Sequence, residues 1–211
     1  MPDRVREICL IHHSHTDVGY TAQQSKVIAW HADFIRQALE VVGQRPDFRW
    51  TCETFWGVEQ FLLAANPNER RQFAQAVREG KIGLSATYLN FNELLDYDNL
   101  REVTARSAQY GEQSGAPVAS AMTADINGFG SGFAQALHDN GVRNTLTCIH
   151  THHGMYPLGR RHVAFWWETA QGDKILVFNA EHYHYGNELG LVPGAISSYT
   201  IKDECDRDMI Y

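Results

Sequence analysis

A chain of 211 residues, 44% hydrophobic and 20% charged, can bury one sizeable core, which makes disorder a poor reading and favours one domain or at most two small ones. The formal charge of -7, with Lys and Arg scattered along the chain, excludes an electropositive footprint for nucleic acid. No run approaches the ~18 apolar residues of a membrane span, and the N-terminal apolar stretch is too short for a secretory signal, so a cytoplasmic chain is expected.

The first predicted element is the short β-branched run "REICLIHH", a buried strand whose polar residues begin where its apolar run ends. After the loop "HHSHTDVGYT", Thr21 and Gln24 have the spacing of a capping box that opens a helix. Its apolar residues Val27, Ile28, Trp30, Phe34, Ile35, Ala38, Leu39 and Val42 recur mostly at helical spacing, and Gly43 ends it. "FRWTCETF" is a second strand, followed by the helical "WGVEQFLLAA". Asn66-Pro67 then caps the helix "NERRQFAQAVRE", which ends at Gly80.

"KIGLSATYL" is a third strand, with the helix "NLREVTARSAQYGEQS" after it. "VASAMTADI", the short helix "SGFAQALHDN" ending at Gly141, and "RNTLTCIH" continue the alternation. Strands and helices of these lengths imply right-handed crossovers and a largely parallel sheet. Beyond His150 the pattern changes: "HVAFWWETAQGDKILVFNAE" reads as two strands joined at Gly172, and no clear helix follows His182. The last stretch, "KDECDRDMIY", does not read as a finishing element. The expectation is a single α/β domain over residues 1–211 that forms the N-terminal part of a longer protein.

Functional groups in parallel α/β sheets gather at the carboxyl ends of the strands. The strand ends here carry His13, His15 and Asp17; then Glu53; then Asn90, Asn92 and Glu93; then Asp125 and Asn127; then His150, His152 and His153. The strand starts carry Arg4, Arg6, Arg49, Lys81 and Arg143, ordinary solvated residues. This one-ended polarity points to an active site. A His-x-Asp pair at a strand end offers imidazole nitrogen and carboxylate oxygen to a metal such as zinc, although short His/Asp loops are often merely polar. Asp125 follows an apolar run, where burial of an unpaired carboxylate is costly and a cation would offset it.

Glu53 fits a substrate contact and a buried hydrogen bond or ion pair about equally well. The His150, His152 and His153 group suits either a further metal ligand or a substrate contact. Tyr20 and Phe129 offer sugar-stacking faces, although lone aromatics more often pack in the core. His182 and His184 alternate on a strand end without an assignable role. Cys9, Cys52, Cys148 and Cys205 form no CxxC pair, and the first three lie in β-like runs, which suggests buried reduced thiols.

These blocks resemble a known family. "HSHTDVGY" resembles the His-Ser-His-Asn-Asp-Pro-Gly-Trp signature of family 38 glycoside hydrolases, the retaining α-mannosidases. "FRWTCETFWGVEQFL", "REGKIGLSATYLNFNE" and "TADINGFG" are similar to that family's following segments, in the same order. The resemblance implies an irregular seven-stranded β/α barrel and one Zn2+ per chain, with His15, Asp17 and Asp125 as ligands. It implies that Asp125 is also the nucleophile, that His13 supports the site from behind, and that the substrate is a carbohydrate of the α-mannoside type. Tyr20, His13, Glu53, Phe129 and His150 are then candidates for substrate contact.

Tyr20 replaces the signature Trp, Val18 replaces Pro, and "DINGFG" is one residue longer than the usual Asp-Pro-Phe-Gly. The family's general acid and histidine ligand normally come later in its chains. Alternatives are a metal-dependent deacetylase or amidohydrolase, with Asp125 as a base, and a non-catalytic carbohydrate-binding relic. Self-association is compatible with this composition, but no interface is legible.

Overall fold

The computed structural model describes residues 7, 9–90, 95–126, 128–149 and 163–180. Eleven elements follow one another: α1 (Gln24–Gln44), β1 (Trp50–Cys52), α2 (Phe55–Ala64), α3 (Pro67–Arg78), β2 (Ile82–Leu84), α4 (Tyr97–Ser114), β3 (Ser120–Ile126), α5 (Ser131–Asp139), β4 (Asn144–Ile149), β5 (Val163–Glu168) and β6 (Lys174–Asn179). The fold is mixed α/β. Its described strands number six in two sheets, β1-β2 and β3-β4-β6-β5.

The strands pair in parallel except for the edge pair β5 and β6, an antiparallel hairpin turned at Gly172, whose φ is 87°. Backbone bonds link the two sheets, since Ala86 N donates to Ser120 O at 3.0 Å just beyond β2. Among the described residues, 7 and 9–13 of the strand expected at the N-terminus form no strand. The segment ahead of α1 lies beside β1, where Thr51 N donates to His12 O at 2.7 Å, but it has no strand ladder. Leu10 and Ile11 are consequently 51% and 56% exposed, and Cys9 is exposed rather than buried.

Side-chain caps begin two of the five described helices, α3 and α4. Asn66 accepts from Asn68 N and Glu69 N, and Glu69 Oε2 accepts from Asn66 N at 2.7 Å, which completes a capping box at the start of α3. Asp96 caps α4 by accepting from Asn99 N at 2.9 Å, without a reciprocal bond. The capping box expected from Thr21 and Gln24 is absent: the turn at 19–21 consumes Thr21, and α1 begins at Gln24 with no side-chain cap.

The core lies between the helices and the sheets. Phe61 and Phe73 are fully buried with ring centroids 5.2 Å apart, and Tyr110 of α4 packs on Phe73 and Phe55. Ile175 and Val177 of β6 and Leu137 of α5 extend this core to the hairpin. Among the described residues no helix is long and apolar enough to cross a membrane.

A candidate metal centre at the carboxyl ends of the strands

The candidate site grows from two short strands and the loop beside them. Where β1 ends, Glu53 follows Cys52 and is 5% exposed. A carboxylate so deeply buried needs hydrogen-bond donors, and the loop supplies them. His13 Nδ1 lies 2.6 Å from Glu53 Oε2 and His15 Nδ1 lies 2.7 Å from Oε1. Asn90, beyond β2, donates from Nδ2 to Oε1 and accepts from Ala124 N at 3.1 Å through Oδ1. Glu53 therefore ties the loop, β2 and β3 together, and the hydrogen-bonded reading of this residue is the one its geometry matches.

Burial alone would raise the Glu53 carboxyl, but the hydrogen bonds and charges of His13 and His15 outweigh it and hold the group below the usual carboxylate range. Burial alone would lower His15. The hydrogen bond and charge of Glu53, and then the charge of Asp17, outweigh it and raise the imidazole.

With Nδ1 engaged by Glu53, His15 presents Nε2 to the other side. That nitrogen is 3.5 Å from Asp125 Oδ2 and 3.7 Å from Asp17 Oδ1. The donor atoms of His15, Asp17 and Asp125 all lie within 4.8 Å of one another. One nitrogen and carboxylate oxygens at these separations suit zinc, and a carboxylate behind a ligating histidine is the usual means of fixing its tautomer and direction. The residues present fit the ion.

Asp125 is held in an unusual way. Its φ is 56°, left-handed backbone at a non-glycine residue, and the β3–β4 register shifts between Ala124 and Ile126. The bulge takes Asp125 out of the ladder and re-aims its carboxylate toward His15. Such a conformation costs about 1–3 kcal/mol and survives where the surroundings over-determine it, commonly at functional sites.

A cleft of about 320 Å³ opens beside these residues, with His15, Asp17, Tyr20, Glu53, Trp56 and Asn90 in its wall. Tyr20 is 90% exposed at its edge. A larger groove of about 620 Å³ runs between α1 and α3, but none of the strand-end groups lines it. Phe129 packs on Phe133 and Trp167, with ring centroids 5.3 and 5.1 Å away, against the core. Asn92, Glu93, Asn127, His150, His152, His153, His182 and His184 lie outside the described residues, as do Arg4, Arg6 and Cys205.

Two further residues belong to the site. His31 of α1 stacks edge-on against Trp56 at 5.4 Å and hydrogen-bonds to the Thr16 backbone, between the two loop ligands. Burial and the neighbouring His15 lower its pKa against the opposing pull of Glu53. Gly57 makes room for it, since a Cβ there would stand 2.8 Å from His31 Nδ1. The signal was present in the sequence: Val27, His31, Ile35, Ala38 and Val42 form one helical stripe, and histidine is its only polar member.

The sequence profile described as "Glycosyl hydrolases family 38 N-terminal domain" matches residues 6–208. Solved structures share the fold. An α-mannosidase from Enterococcus faecalis V583 superposes with a TM-score of 0.70 at 17% identity, over 89% of this chain and 22% of its own. A protein in glycosyl hydrolase family 38 from Enterococcus faecalis gives 0.62 at 14% identity, over 83% of this chain and 19% of its own. A 4-α-glucanotransferase from Thermococcus litoralis gives 0.63 at 12% identity, over 87% of this chain and 29% of its own. The chain thus spans less than a third of each of these structures, and no curated protein sequence matches it.

Proposed function

The chain belongs to glycosyl hydrolase family 38, and from that premise we propose that it forms the N-terminal catalytic portion of a zinc-dependent retaining glycoside hydrolase acting on α-mannoside-like substrates. The convergence of His15 Nε2, Asp17 and Asp125 at the carboxyl ends of the strands, with Glu53 holding His15 from behind, is the observation that carries this reading. In it the strands complete the family's seven-stranded barrel.

Asp125 Oδ2 is the oxygen on the His15 side, and Oδ1 is assigned the attack on the anomeric carbon. A bond forms between that carbon and the carboxylate as the glycosidic C–O bond breaks. The leaving oxygen takes a proton from a general acid about 5–5.5 Å from the nucleophile, the spacing of retaining enzymes. Water, giving its proton back to that same residue now acting as base, then attacks the anomeric carbon, and the bond to Asp125 breaks to release the sugar. The general acid is assigned to none of the described residues.

The bulge at residue 125 holds the carboxylate in place before substrate arrives, so little reorganisation is left for the reaction itself. Glu53 and His13 orient His15 without touching the sugar. Tyr20, with its exposed ring, is a platform for a sugar face. Zn2+ held by His15, Asp17 and Asp125 supplies Lewis-acid stabilisation and a template for vicinal sugar hydroxyls.

Trapping tests the proposal. The full protein incubated with an activated fluoro-mannoside is expected to carry a covalent sugar on the peptide containing Asp125, read by mass spectrometry. Amide hydrolysis without an adduct would instead mean a deacetylase-type enzyme. Sugar binding with neither reaction would mean a binding relic.

A further inference from the structure

We propose that the chain holds a second zinc site, at the opposite, amino-end side of the sheet, built from His138, Asp139 and Asp173. His138 and Asp139 close α5, and Asp173 lies in the turn immediately before β6. His138 Nδ1 is 3.3 Å from Asp173 Oδ2 and 3.6 Å from Asp139 Oδ1, and the three donor atoms lie within 4.8 Å of one another. A tetrahedron built on zinc bonds of about 2.0–2.1 Å has edges of about 3.3–3.4 Å. The His138–Asp173 separation matches that edge and the His138–Asp139 separation exceeds it by about 0.2 Å.

A second observation points to the same ion. Gln135, one turn earlier on α5, is 4% exposed, and its amide reaches into the cluster: Nε2 donates to Asp139 Oδ1 at 2.8 Å and lies 3.5 Å from Asp173 Oδ2. Its buried Oε1 accepts no hydrogen bond among the described residues, and buried His138 Nδ1 meets the two carboxylates only at ion-pair range. A protonated histidine paired with a carboxylate would aim its N–H at one oxygen about 2.7–2.9 Å away. Here Nδ1 stands between two oxygens at longer range.

One zinc ion accounts for both atoms. Nδ1 becomes a ligand, and a water completing the tetrahedron donates to Gln135 Oε1. The Gln135–Asp139 bond then has the orienting role that partners of metal ligands usually have. The C-terminal end of α5 adds the negative pole of its helix dipole. Tyr97 donates to Asp139 Oδ2, so the ion would fasten α4 and α5 to the β5–β6 hairpin.

Zinc content and zinc-edge anomalous diffraction of the full protein, chelated and then reloaded, test this. Wild type is expected to hold two ions, one of them between His138, Asp139 and Asp173. Asp173→Asn is expected to lose that ion and keep the other. His138→Gln gives the same readout should the first variant fail to fold. In a His15→Ala/Asp17→Ala background the second ion should remain, which separates this inference from the catalytic reading. No anomalous peak at His138 under saturating zinc, or full retention of that ion in Asp173→Asn, overturns it.

Discussion

The His–Asp cluster at the carboxyl ends of the strands and the one at the amino ends draw on similar residue types but are built to different standards. His15 is backed by a buried carboxylate that also binds His13 and Asn90, and Asp125 sits on a strained bulge. His138 and Asp139 sit on regular helix, the buried side chain that hydrogen-bonds Asp139 from within α5 is the neutral amide of Gln135, and Asp173 keeps 40% of its side chain in solvent. Strain and a buried charge are costly, and a site that only joins elements has no use for them. The contrast fits the chemistry proposed for one end of the sheet and the fastening proposed for the other.

The largest effect is expected where the strain is. Asp125→Asn should reduce turnover on the order of 10⁴-fold or more, the scale of losing a nucleophile. Stability should hardly change, because Asn is among the few side chains that accept left-handed backbone at little cost. Steady-state kinetics and a melting curve on the same preparation check both halves. Activity near wild type would move the nucleophile elsewhere.

Glu53→Gln should weaken zinc at the first site by about 10–100-fold, the usual cost of removing a partner behind a ligand. The amide removes the charge, and its NH₂ would face one of two histidine Nδ1 atoms that now share a carboxylate. Affinity at the second site should be untouched. Chelator competition separates the two affinities, and an equal loss at both would erase the distinction drawn between them.

Gly57→Ala probes the same support from further away. The added Cβ meets His31 Nδ1 at 2.8 Å, so the ring must turn and its bond to the Thr16 backbone must loosen. Ala gains about 1 kcal/mol over Gly within a helix, which offsets much of the crowding. The expectation is a nearly unchanged melting temperature with zinc affinity at the first site a few-fold lower. Unchanged affinity would remove His31 from the site.

Much of this was legible in the sequence, and the failures have identifiable causes. Periodicity and caps placed the helices, as at Asn66 and Glu69, because those signals are local. The polarity of strand ends brought out Glu53, which follows β1, and Asp125, which lies in β3, whereas His15 and Asp17 reach the site on the loop beside β1 and not from a strand end. Glu53 stayed ambiguous, since nothing in a linear sequence shows two histidines turning Nδ1 to one carboxylate. The bulge at Asp125 has no sequence marker such as glycine. The described residues of the expected first strand lie outside any ladder because an apolar run resembles a strand whether or not a ladder forms along it, and Cys9 was misplaced with it. His138 and Asp173 meet only through the packing of α5 on the hairpin, which no motif announces.

The smallest effect concerns the thiols beside the catalytic end. Cys52 directly precedes Glu53, and burial pushes its thiol up to about 12; Cys148 on β4 is likewise pushed up to about 12 by burial and then by the Glu53 charge. At pH 8 a thiol of that kind holds on the order of one part in 10⁴ as thiolate, the form that alkylates and that binds metal. Cys9 is exposed. Iodoacetamide on the folded protein should therefore label Cys9 readily and leave Cys52 and Cys148 unmodified, by peptide mass spectrometry, whether zinc is present or removed. Zinc-dependent protection of Cys52 or Cys148 would mean that a thiolate shares the first site, and the oxygen-and-imidazole donor set that distinguishes it would have to be redrawn.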